Sequence, residues 1–357
     1  MNIAMMVNNY SHRFPAEWEG VSAVMISWPH KHTDWAYMLD EVCDCTESII
    51  RALQQDGLKI LLVGPDLTDA HKRMADIEHS QENPYGVIFI EVPTNDTWIR
   101  DYGPLTTIDE NGNKILNDFK FNGWGLKFAA DKDNLVTRTL FNRNVFSYIS
   151  EDTLLYNNCL NIVFEGGSIE SNGKGTLMTT SRCLLSPNRN GAWTREDTER
   201  TLLNIFGARK LLWIEHGELE GDDTDAHVDT LARLAPHNTI IFCGCDNAED
   251  IHFESLQSMK KELSLFTDAD GMAFNLLELP LPDPIFDEEG LRLPATYANY
   301  LVTPAKVLVP SYGQPLKDLL ARQIIAVAYN DREIVSVDCR ALIRQHGSLH
   351  CATMQIP

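Results

Sequence analysis

Long apolar runs and an excess of basic residues are both missing from this 357-residue chain. No stretch of about 18 apolar residues occurs, and no basic segment leads into an apolar one near the start, so we expect no membrane span, no secretion signal and a cytoplasmic location. Lys and Arg number 30 against 51 Asp and Glu, which gives a net charge of −21. This charge disfavours nucleic acid and anionic membrane as partners, and it suits a cationic ligand.

The usual cofactor motifs are also missing. No G-x-G-x-x-G follows a strand-like run, and in "EGGSIESNGKGT" (165–176) Gly175 stands where a phosphate loop needs Ser or Thr after its lysine. The C-x-C pairs at 43–45 and 243–245 lack the ligand spacing of zinc sites. We therefore expect no cofactor and no metal, and we expect the eight cysteines to be mostly free thiols, buried in the C-x-C pairs.

Short apolar runs recur along the whole chain and predict strands. These runs lie at 21–27, 59–64, 87–92, 161–165, 210–215, 239–244, 306–310 and 333–338. Helical patterns lie between several of them, at 34–55, 194–206, 248–264 and 315–328. The Asn-Gly pairs in "DENGNK" (109–114) and "ESNGKG" (170–175) predict hairpin turns, because Asn and Gly tolerate positive φ. Since no linker separates two halves, we predict a single α/β domain of repeated small units over 1–357.

Two motifs place acidic side chains directly after strand-like runs. In "PTNDTWIRDYGP" (93–104), Asp96 and Asp101 stand on either side of Trp98. In "FEGG" (164–167), Glu165 ends a strand and precedes a Gly-Gly turn. Each motif fits an ordinary solvated turn, and each also fits a site that binds a flat, partly apolar cation. The motifs alone leave both interpretations open.

Two further motifs carry a histidine and a cysteine. In "HVDTLARL" (227–234), His227 and Asp229 are two residues apart, so a strand would place both on one face and make His227 a candidate general acid or base. A metal site here is a weaker alternative, because no second histidine is near. In "HGSLHCATMQIP" (346–357), Cys351 fits a buried apolar position or a nucleophile. The adjacent His350 would face the opposite way on a strand.

Taken together, the order and spacing of these motifs resemble the agmatine deiminase and bacterial peptidylarginine deiminase family. The resemblance runs from about Phe14 to Pro357, and "FKFNGWGLKF" (119–128) and "LLSPNRN" (184–190) also fit it. It implies the pentein fold, a five-bladed pseudo-symmetric α/β propeller of ββαβ units, formed here by one catalytic domain.

The resemblance also implies a role for each candidate residue. Cys351 would attack the guanidinium carbon and form an amidino-thioether, and His227 would transfer protons to ammonia and from water. Asp101 and Asp229 would clamp the guanidinium. Glu165 would hold a guanidinium nitrogen or orient His227. This chemistry suits the residue types, because a guanidinium is planar, permanently charged and bound well by paired carboxylates.

The substrate is less closely defined than the chemistry. The negative charge favours agmatine, a dication, and the expected products are N-carbamoylputrescine and ammonia. Trp98 would line the substrate stem, while Asp96 would bind substrate farther out or cap its own turn. "RDYGP" carries Tyr102 where many agmatine enzymes have Thr, so peptidylarginine and other guanidines stay open. A non-catalytic polyamine-binding protein is the alternative of a different class, and a homo-oligomer is left open.

Overall fold

A computed structural model describes residues 12–75, 86–149 and 154–357 of the chain. The fold of this part is mixed α/β. Its strands are β1 (His12–Arg13), β2 (Ala23–Ser27), β3 (Lys59–Gly64), β4 (Val87–Glu91), β5 (Leu105–Asp109), β6 (Lys114–Lys120), β7 (Leu154–Val163), β8 (Glu170–Ser171), β9 (Thr176–Thr180), β10 (Lys210–Ile214), β11 (Ala232–Ala235), β12 (Thr239–Cys243), β13 (Asn275–Leu279), β14 (Leu301–Val302), β15 (Lys306–Ser311), β16 (Glu333–Asp338) and β17 (Thr353–Ile356).

The helices differ widely in length. The α-helices are α1 (Leu39–Gln54), α2 (Thr68–Arg73), α3 (Ile99–Tyr102), α4 (Gly123–Leu126), α5 (Val136–Asn142), α6 (Ser181–Leu184), α7 (Pro187–Asn190), α8 (Arg195–Phe206), α9 (Phe253–Leu263) and α10 (Pro315–Ala328). Short 3-10 helices cover Asp34–Tyr37, Asp133–Leu135, Val145–Tyr148, Gly166–Ser168, Val228–Thr230 and Leu342–Gln345. Within the described ranges, no helix is long and apolar enough to cross a membrane.

The described strands form five sheets that share one connection pattern. Their strand orders are β17-β2-β3-β4, β1-β5-β6-β7, β10-β9-β8, β11-β12-β13 and β14-β15-β16. Each sheet contains an antiparallel pair, then a helical connection, then a third strand parallel to the second. The last strand, β17, pairs with β2, so the C-terminal segment completes the sheet of β2, β3 and β4.

Local sequence explains the main elements. The apolar runs "AVMIS" and "KILLVG" form neighbouring parallel strands β2 and β3, and all but the first residue of β3 is buried, as expected for strands covered on both faces. Helix α1 buries Val42, Ile49 and Leu53, which share one face at helical spacing. The chain leaves α8 at Gly207, whose φ of +60° is a conformation that glycine adopts without steric cost.

Most predicted elements are present, with shifted boundaries. Both Asn-Gly hairpins are confirmed, as β5–β6 and β8–β9. The helix predicted at 34–55 begins as a 3-10 turn and becomes α1 after Met38, and the helix predicted at 248–264 begins only at Phe253. The cysteines of both C-x-C pairs are free and buried, as predicted, and the other four are free and buried too.

The strand predicted to begin at His227 is wrong. Asp225 and Ala226 both have positive φ, so the chain turns immediately before His227. Val228–Thr230 then form a 3-10 helix, and the hydroxyl of Thr230 donates to the carbonyl of His227 at 2.8 Å. The strand begins only at Ala232, so the shared face of a strand is not what brings His227 and Asp229 together.

Helix α8 provides a test of local stability. Thr194 accepts a hydrogen bond from the backbone N–H of Asp197, and the Asp197 carboxylate accepts from the backbone N–H of Thr194. Replacing this N-cap, Thr194→Ala, should lower the free energy of unfolding by about 1 kcal/mol, because a donor at the helix start loses its partner. Urea denaturation measures the change. Thr194→Ser, which keeps the cap, should stay within about 0.5 kcal/mol of the parent; equal losses would contradict the capping role.

Candidate active site

The five connections between successive sheets each contribute to one buried cluster. Asp101 lies between β4 and β5, Glu165 between β7 and β8, and His227 with Asp229 between β10 and β11. Asn299 lies between β13 and β14, and Cys351 lies between β16 and β17. All six side chains belong to residues that are at least nine-tenths buried. These six side chains therefore all lie in the connections between sheets and not in the strands.

Gly167 marks the point where three of these side chains converge. A Cβ atom built on Gly167 would lie 2.6 Å from His227 Nδ1 and 3.0 Å from both Asp101 Oδ1 and Asp229 Oδ2. The backbone N–H of Gly167 donates to Asp101 Oδ1 at 2.9 Å. Any side chain at this position would displace the cluster, which explains a glycine here even though its φ is not positive.

Asp101 is oriented by two hydrogen bonds from neutral groups. Its Oδ2 accepts from the indole N–H of Trp124 at 2.8 Å, and its Oδ1 accepts from Gly167. His227 Nδ1 lies 3.7 Å from Oδ1. Burial raises the pKa of Asp101, and the nearby carboxylate of Glu165 raises it further, although His227 acts in the opposite direction.

Glu165 joins His227 to an arginine. Its Oε2 lies 2.8 Å from His227 Nε2, and Arg189 donates from Nε and Nη2 at 2.8–3.1 Å. Burial acts to raise the pKa of Glu165, but Arg189 and His227 outweigh it, so the pKa lies below its ordinary value. Burial acts to lower the pKa of His227, but Asp101, Cys183 and Glu165 outweigh it and hold the pKa well above its ordinary value. These contacts favour the protonated imidazolium form of His227.

Cys351 contacts the cluster through Asp229 and Asn299. Its Sγ is 3.9 Å from Asp229 Oδ2 and accepts a hydrogen bond from Asn299 Nδ2 at 3.3 Å. Asn299 Oδ1 in turn accepts from the backbone N–H groups of His350 and Cys351. Burial raises the pKa of the Cys351 thiol well above its ordinary value, and Asp229 and Asp101 add to this effect. This raised pKa favours the neutral thiol over the thiolate.

The two oxygens of Asp229 are used differently. Oδ2 lies 2.7 Å from His350 Nδ1, while Oδ1 is buried and has no hydrogen-bond partner among the described residues. Burial acts to raise the pKa of Asp229, but His350 and His227 outweigh it and lower the pKa below its ordinary value. A buried carboxylate oxygen without a donor is costly, and it would accept an N–H group from a ligand.

The motif around Asp96 and Trp98 lies beside the cluster. The Trp98 ring packs against Gly347, where a Cβ would come within 2.3 Å of the ring, and against Trp35 at 5.7 Å between centroids. Asp96 Oδ1 accepts from the backbone N–H of Thr97 at 2.7 Å, so Asp96 caps its own turn, and burial raises its pKa to about 6. Tyr102, the departure from the common motif, donates its hydroxyl to the Asp96 carbonyl and supports the same turn.

A second donor set overlaps the site. Ligand atoms of Glu165, Cys183 and His227 lie within 4.8 Å of one another, and these are residue types that Zn²⁺ accepts. However, both Glu165 oxygens already accept hydrogen bonds from the Arg189 guanidinium, and an ion would lie close to this positive charge. The arrangement fits a charge-paired histidine better than a metal centre, so we derive no step that uses a metal.

Sequence reasoning missed several residues of the cluster. Arg189 and Trp124 lie in stretches that were noted only for their resemblance to the family, and Asn299 carries no local signal. His350 was discounted on the assumption of a strand. Residues 349–352 form a turn, and β17 begins at Thr353, so His350 and Cys351 both reach the interior.

Comparisons with known proteins agree with these motifs. Residues 13–357 match the family model for Porphyromonas-type peptidyl-arginine deiminase. A Porphyromonas gingivalis structure, provisionally named an arginine deiminase, is 41% identical, with a TM-score of 0.88 over 97% of this chain and 98% of that one. A C. jejuni agmatine deiminase variant solved with substrate bound is 35% identical, with a TM-score of 0.87 over 99% and 98%.

A more distant structure shows the fold alone. SxtG, an amidinotransferase from Microseira wollei, is 13% identical, with a TM-score of 0.52 over 96% of both chains. The family predicted from the sequence motifs is confirmed by the family model, which covers nearly the whole chain. The chain belongs to the Porphyromonas-type peptidyl-arginine deiminase family, and its structural relatives include an agmatine deiminase.

Proposed function

We propose that this enzyme hydrolyses the guanidinium group of agmatine to N-carbamoylputrescine and ammonia through a covalent intermediate on Cys351. One observation carries the proposal: a buried thiol shares a closed cluster with Asp101, Asp229 and a charged His227. A thiol for attack, carboxylates for a planar cation and a histidine for proton transfer are the parts that guanidine hydrolysis needs.

Substrate binding completes the charge balance of the cluster. The guanidinium donates to the free Oδ1 of Asp229 and to the carboxylate of Asp101. A cation at this position offsets the two carboxylates that hold up the pKa of Cys351. The thiol then loses its proton to solvent water beside the electrophilic carbon, so the nucleophile is formed where the substrate is bound.

The chemical steps follow from this arrangement. The Cys351 thiolate forms a C–S bond to the guanidinium carbon, His227 gives its proton to the departing nitrogen, and the C–N bond breaks to release ammonia. Water then attacks the amidino-thioether, and His227 accepts a proton from it. The C–S bond breaks, which returns the sulfur of Cys351 and leaves a ureido product.

Of the two roles expected for Glu165, the contacts favour the orientation of His227. Its oxygens already accept from His227 and Arg189, which leaves little capacity for a substrate nitrogen. Glu165 also keeps His227 protonated, as the acid step requires. Trp98 walls the apolar stem of the substrate, and Asp96 supports this wall by capping its turn.

The choice of agmatine rests on charge and on similarity. A net charge of −21 favours a dication, and a structure at 35% identity is a substrate-bound agmatine deiminase. Peptidylarginine deimination is the runner-up, since the matching family model carries that name. A non-catalytic polyamine binder would need the acids but not the thiol beside them, so the cluster favours an enzyme.

We also propose the arrangement that these findings favour for the whole chain. The five sheets form five blades around a pseudo-fivefold axis, because each of the five connections between them reaches the same cluster. One catalytic domain spans 1–357. The cytoplasmic location and the homo-oligomer remain predictions.

The substrate assignment is tested by ammonia release from agmatine, free arginine and an arginine-containing peptide, measured side by side. Agmatine should give the highest kcat/KM, because its second positive charge suits the acidic protein and it carries no carboxylate. A higher kcat/KM for the peptide would transfer the assignment to peptidylarginine. Citrulline formation on the peptide, with agmatine as competitor, provides an independent reading.

The matched variant for this assay is Cys351→Ala. It should abolish ammonia release from every substrate while agmatine binding, measured by calorimetry, persists, because the carboxylates remain. Ammonia release at the parent rate from this variant would refute the thiol mechanism, and binding without turnover by the parent protein would favour the polyamine binder.

The raised pKa of Cys351 predicts how alkylation depends on pH and on reagent charge. A neutral haloacetamide should modify Cys351 slowly at neutral pH, and the rate should still rise above pH 9, where an exposed thiol of pKa about 8.5 is mostly ionised. A cationic haloacetamidine should react at least about tenfold faster at pH 7, because its charge lowers the thiol pKa by a unit or more.

The readout is mass spectrometry of the peptide that contains Cys351, since the other seven cysteines also react after unfolding. Glutathione treated with both reagents corrects for their intrinsic reactivity. Equal corrected rates at Cys351, or a rate that levels off below pH 8, would show that the sulfur is already a thiolate before a cation arrives.

A further inference from the structure

A line of short contacts continues from Asp229 away from Cys351. His350 Nδ1 lies 2.7 Å from Asp229 Oδ2, and His350 Nε2 lies 2.7 Å from Glu17 Oε1. Nη2 of Arg233 lies 3.2 Å from the same Nε2, so this nitrogen contacts both the Glu17 carboxylate and a guanidinium. The imidazole is therefore fixed at both ends, between two acidic groups.

Glu17 comes from the loop between β1 and β2, far from Asp229 in sequence. Arg233 donates to its Oε2 at 2.5 Å, and Arg100 donates to its Oε1 at 3.2 Å. Arg233 is itself held by Glu170 at 2.6 Å. The Glu17 side chain is about one-fifth exposed, while His350 and Arg233 are almost fully buried. The loop between β1 and β2 thus packs against His350 through Glu17, on the side away from Cys351.

We propose that His350 is a positioning residue for substrate binding, and that Glu17 fixes it in place. By engaging Oδ2 of Asp229, His350 leaves the unpaired Oδ1 as the oxygen that receives the guanidinium. The inference rests on the proposed function of the site, and it gives a role to His350 and Glu17, which take no part in the chemical steps. His350 acts through Asp229 and does not touch the substrate.

The pair of His350 and Glu17 resembles the pair of His227 and Glu165, whose histidine transfers protons in the proposed mechanism. His227 is backed by Glu165 and Arg189, and His350 is backed by Glu17 and Arg233. The first pair faces the reacting carbon in the proposed mechanism, while the second faces the carboxylate that binds the cation. Losing the second pair should therefore weaken binding more than chemistry, which separates the two roles experimentally.

Two substitutions at His350 test the inference directly. His350→Asn places an amide N–H near the position of Nδ1 and can still donate to Asp229. His350→Gln places its amide near the position of Nε2, where it faces Glu17 and leaves Asp229 without a donor. We expect His350→Asn to keep kcat/KM within about tenfold of the parent, and His350→Gln to lose about 100-fold, mainly through KM.

The comparison between the two variants excludes a merely structural role. The midpoint temperature of thermal unfolding should fall by a similar amount in both variants, because each removes the same ring from the interior. Equal kinetic losses in the two variants, or no loss in His350→Gln, would overturn the inference. So would a loss confined to kcat.

Glu17→Gln provides a second test if the His350 variants fold poorly. It removes the charge that faces His350 and should raise KM about tenfold with a smaller change in kcat. The matched control is Glu19→Gln on the same loop, because Glu19 pairs with Arg13 instead of the cluster. A KM unchanged in Glu17→Gln, or raised equally in Glu19→Gln, would contradict the role of Glu17.

Binding measurements separate this inference from the proposed reaction. In a Cys351→Ala background, agmatine should bind His350→Asn more tightly than His350→Gln by about tenfold or more, whether or not the parent enzyme releases ammonia. Absence of turnover by the parent would contradict the proposed function but not the positioning role of His350. Equal affinities of the two variants would contradict the positioning role of His350 but leave the proposed function intact.

Discussion

The central constraint of this structure is the buried negative charge around Cys351. Burying a carboxylate is costly unless a donor or a cation compensates it. Glu165 is compensated by Arg189, but Asp101 is oriented mainly by neutral N–H groups, and one oxygen of Asp229 has no hydrogen-bond partner in the described part of the chain. In the proposed mechanism a flat cation completes this cluster, and the same uncompensated carboxylates add to the effect of burial in raising the pKa of the Cys351 thiol.

The architecture explains how so many charges meet in one place. The sheets bury apolar strand residues, and the polar side chains of the cluster lie in the connections that lead from one sheet to the next. Five such connections converge, so residues more than 120 positions apart in the chain come together around Gly167. Two consecutive residues with positive φ, Asp225 and Ala226, turn the chain so that His227 and Asp229 both point inward.

Much of this could be predicted from the sequence, but not all. Apolar periodicity and turn residues identify most strands, both hairpins and the capped helix α8, because these depend on local interactions. The motifs identify the five clustered residues through the order in which they occur. Arg189, Asn299 and Glu17 act only through contacts across long sequence separations, so no local pattern marks them. His350 was misjudged because a turn, not a strand, carries it.

The most direct test of the central claim is to quench the enzyme with acid during turnover of agmatine and to measure the mass of the peptide that contains Cys351. A substrate-derived amidino adduct should appear on that sulfur before the ureido product and should disappear once the substrate is consumed. Product formation with Cys351 unmodified at every time point would contradict the account, because water would then attack the guanidinium without help from the thiol.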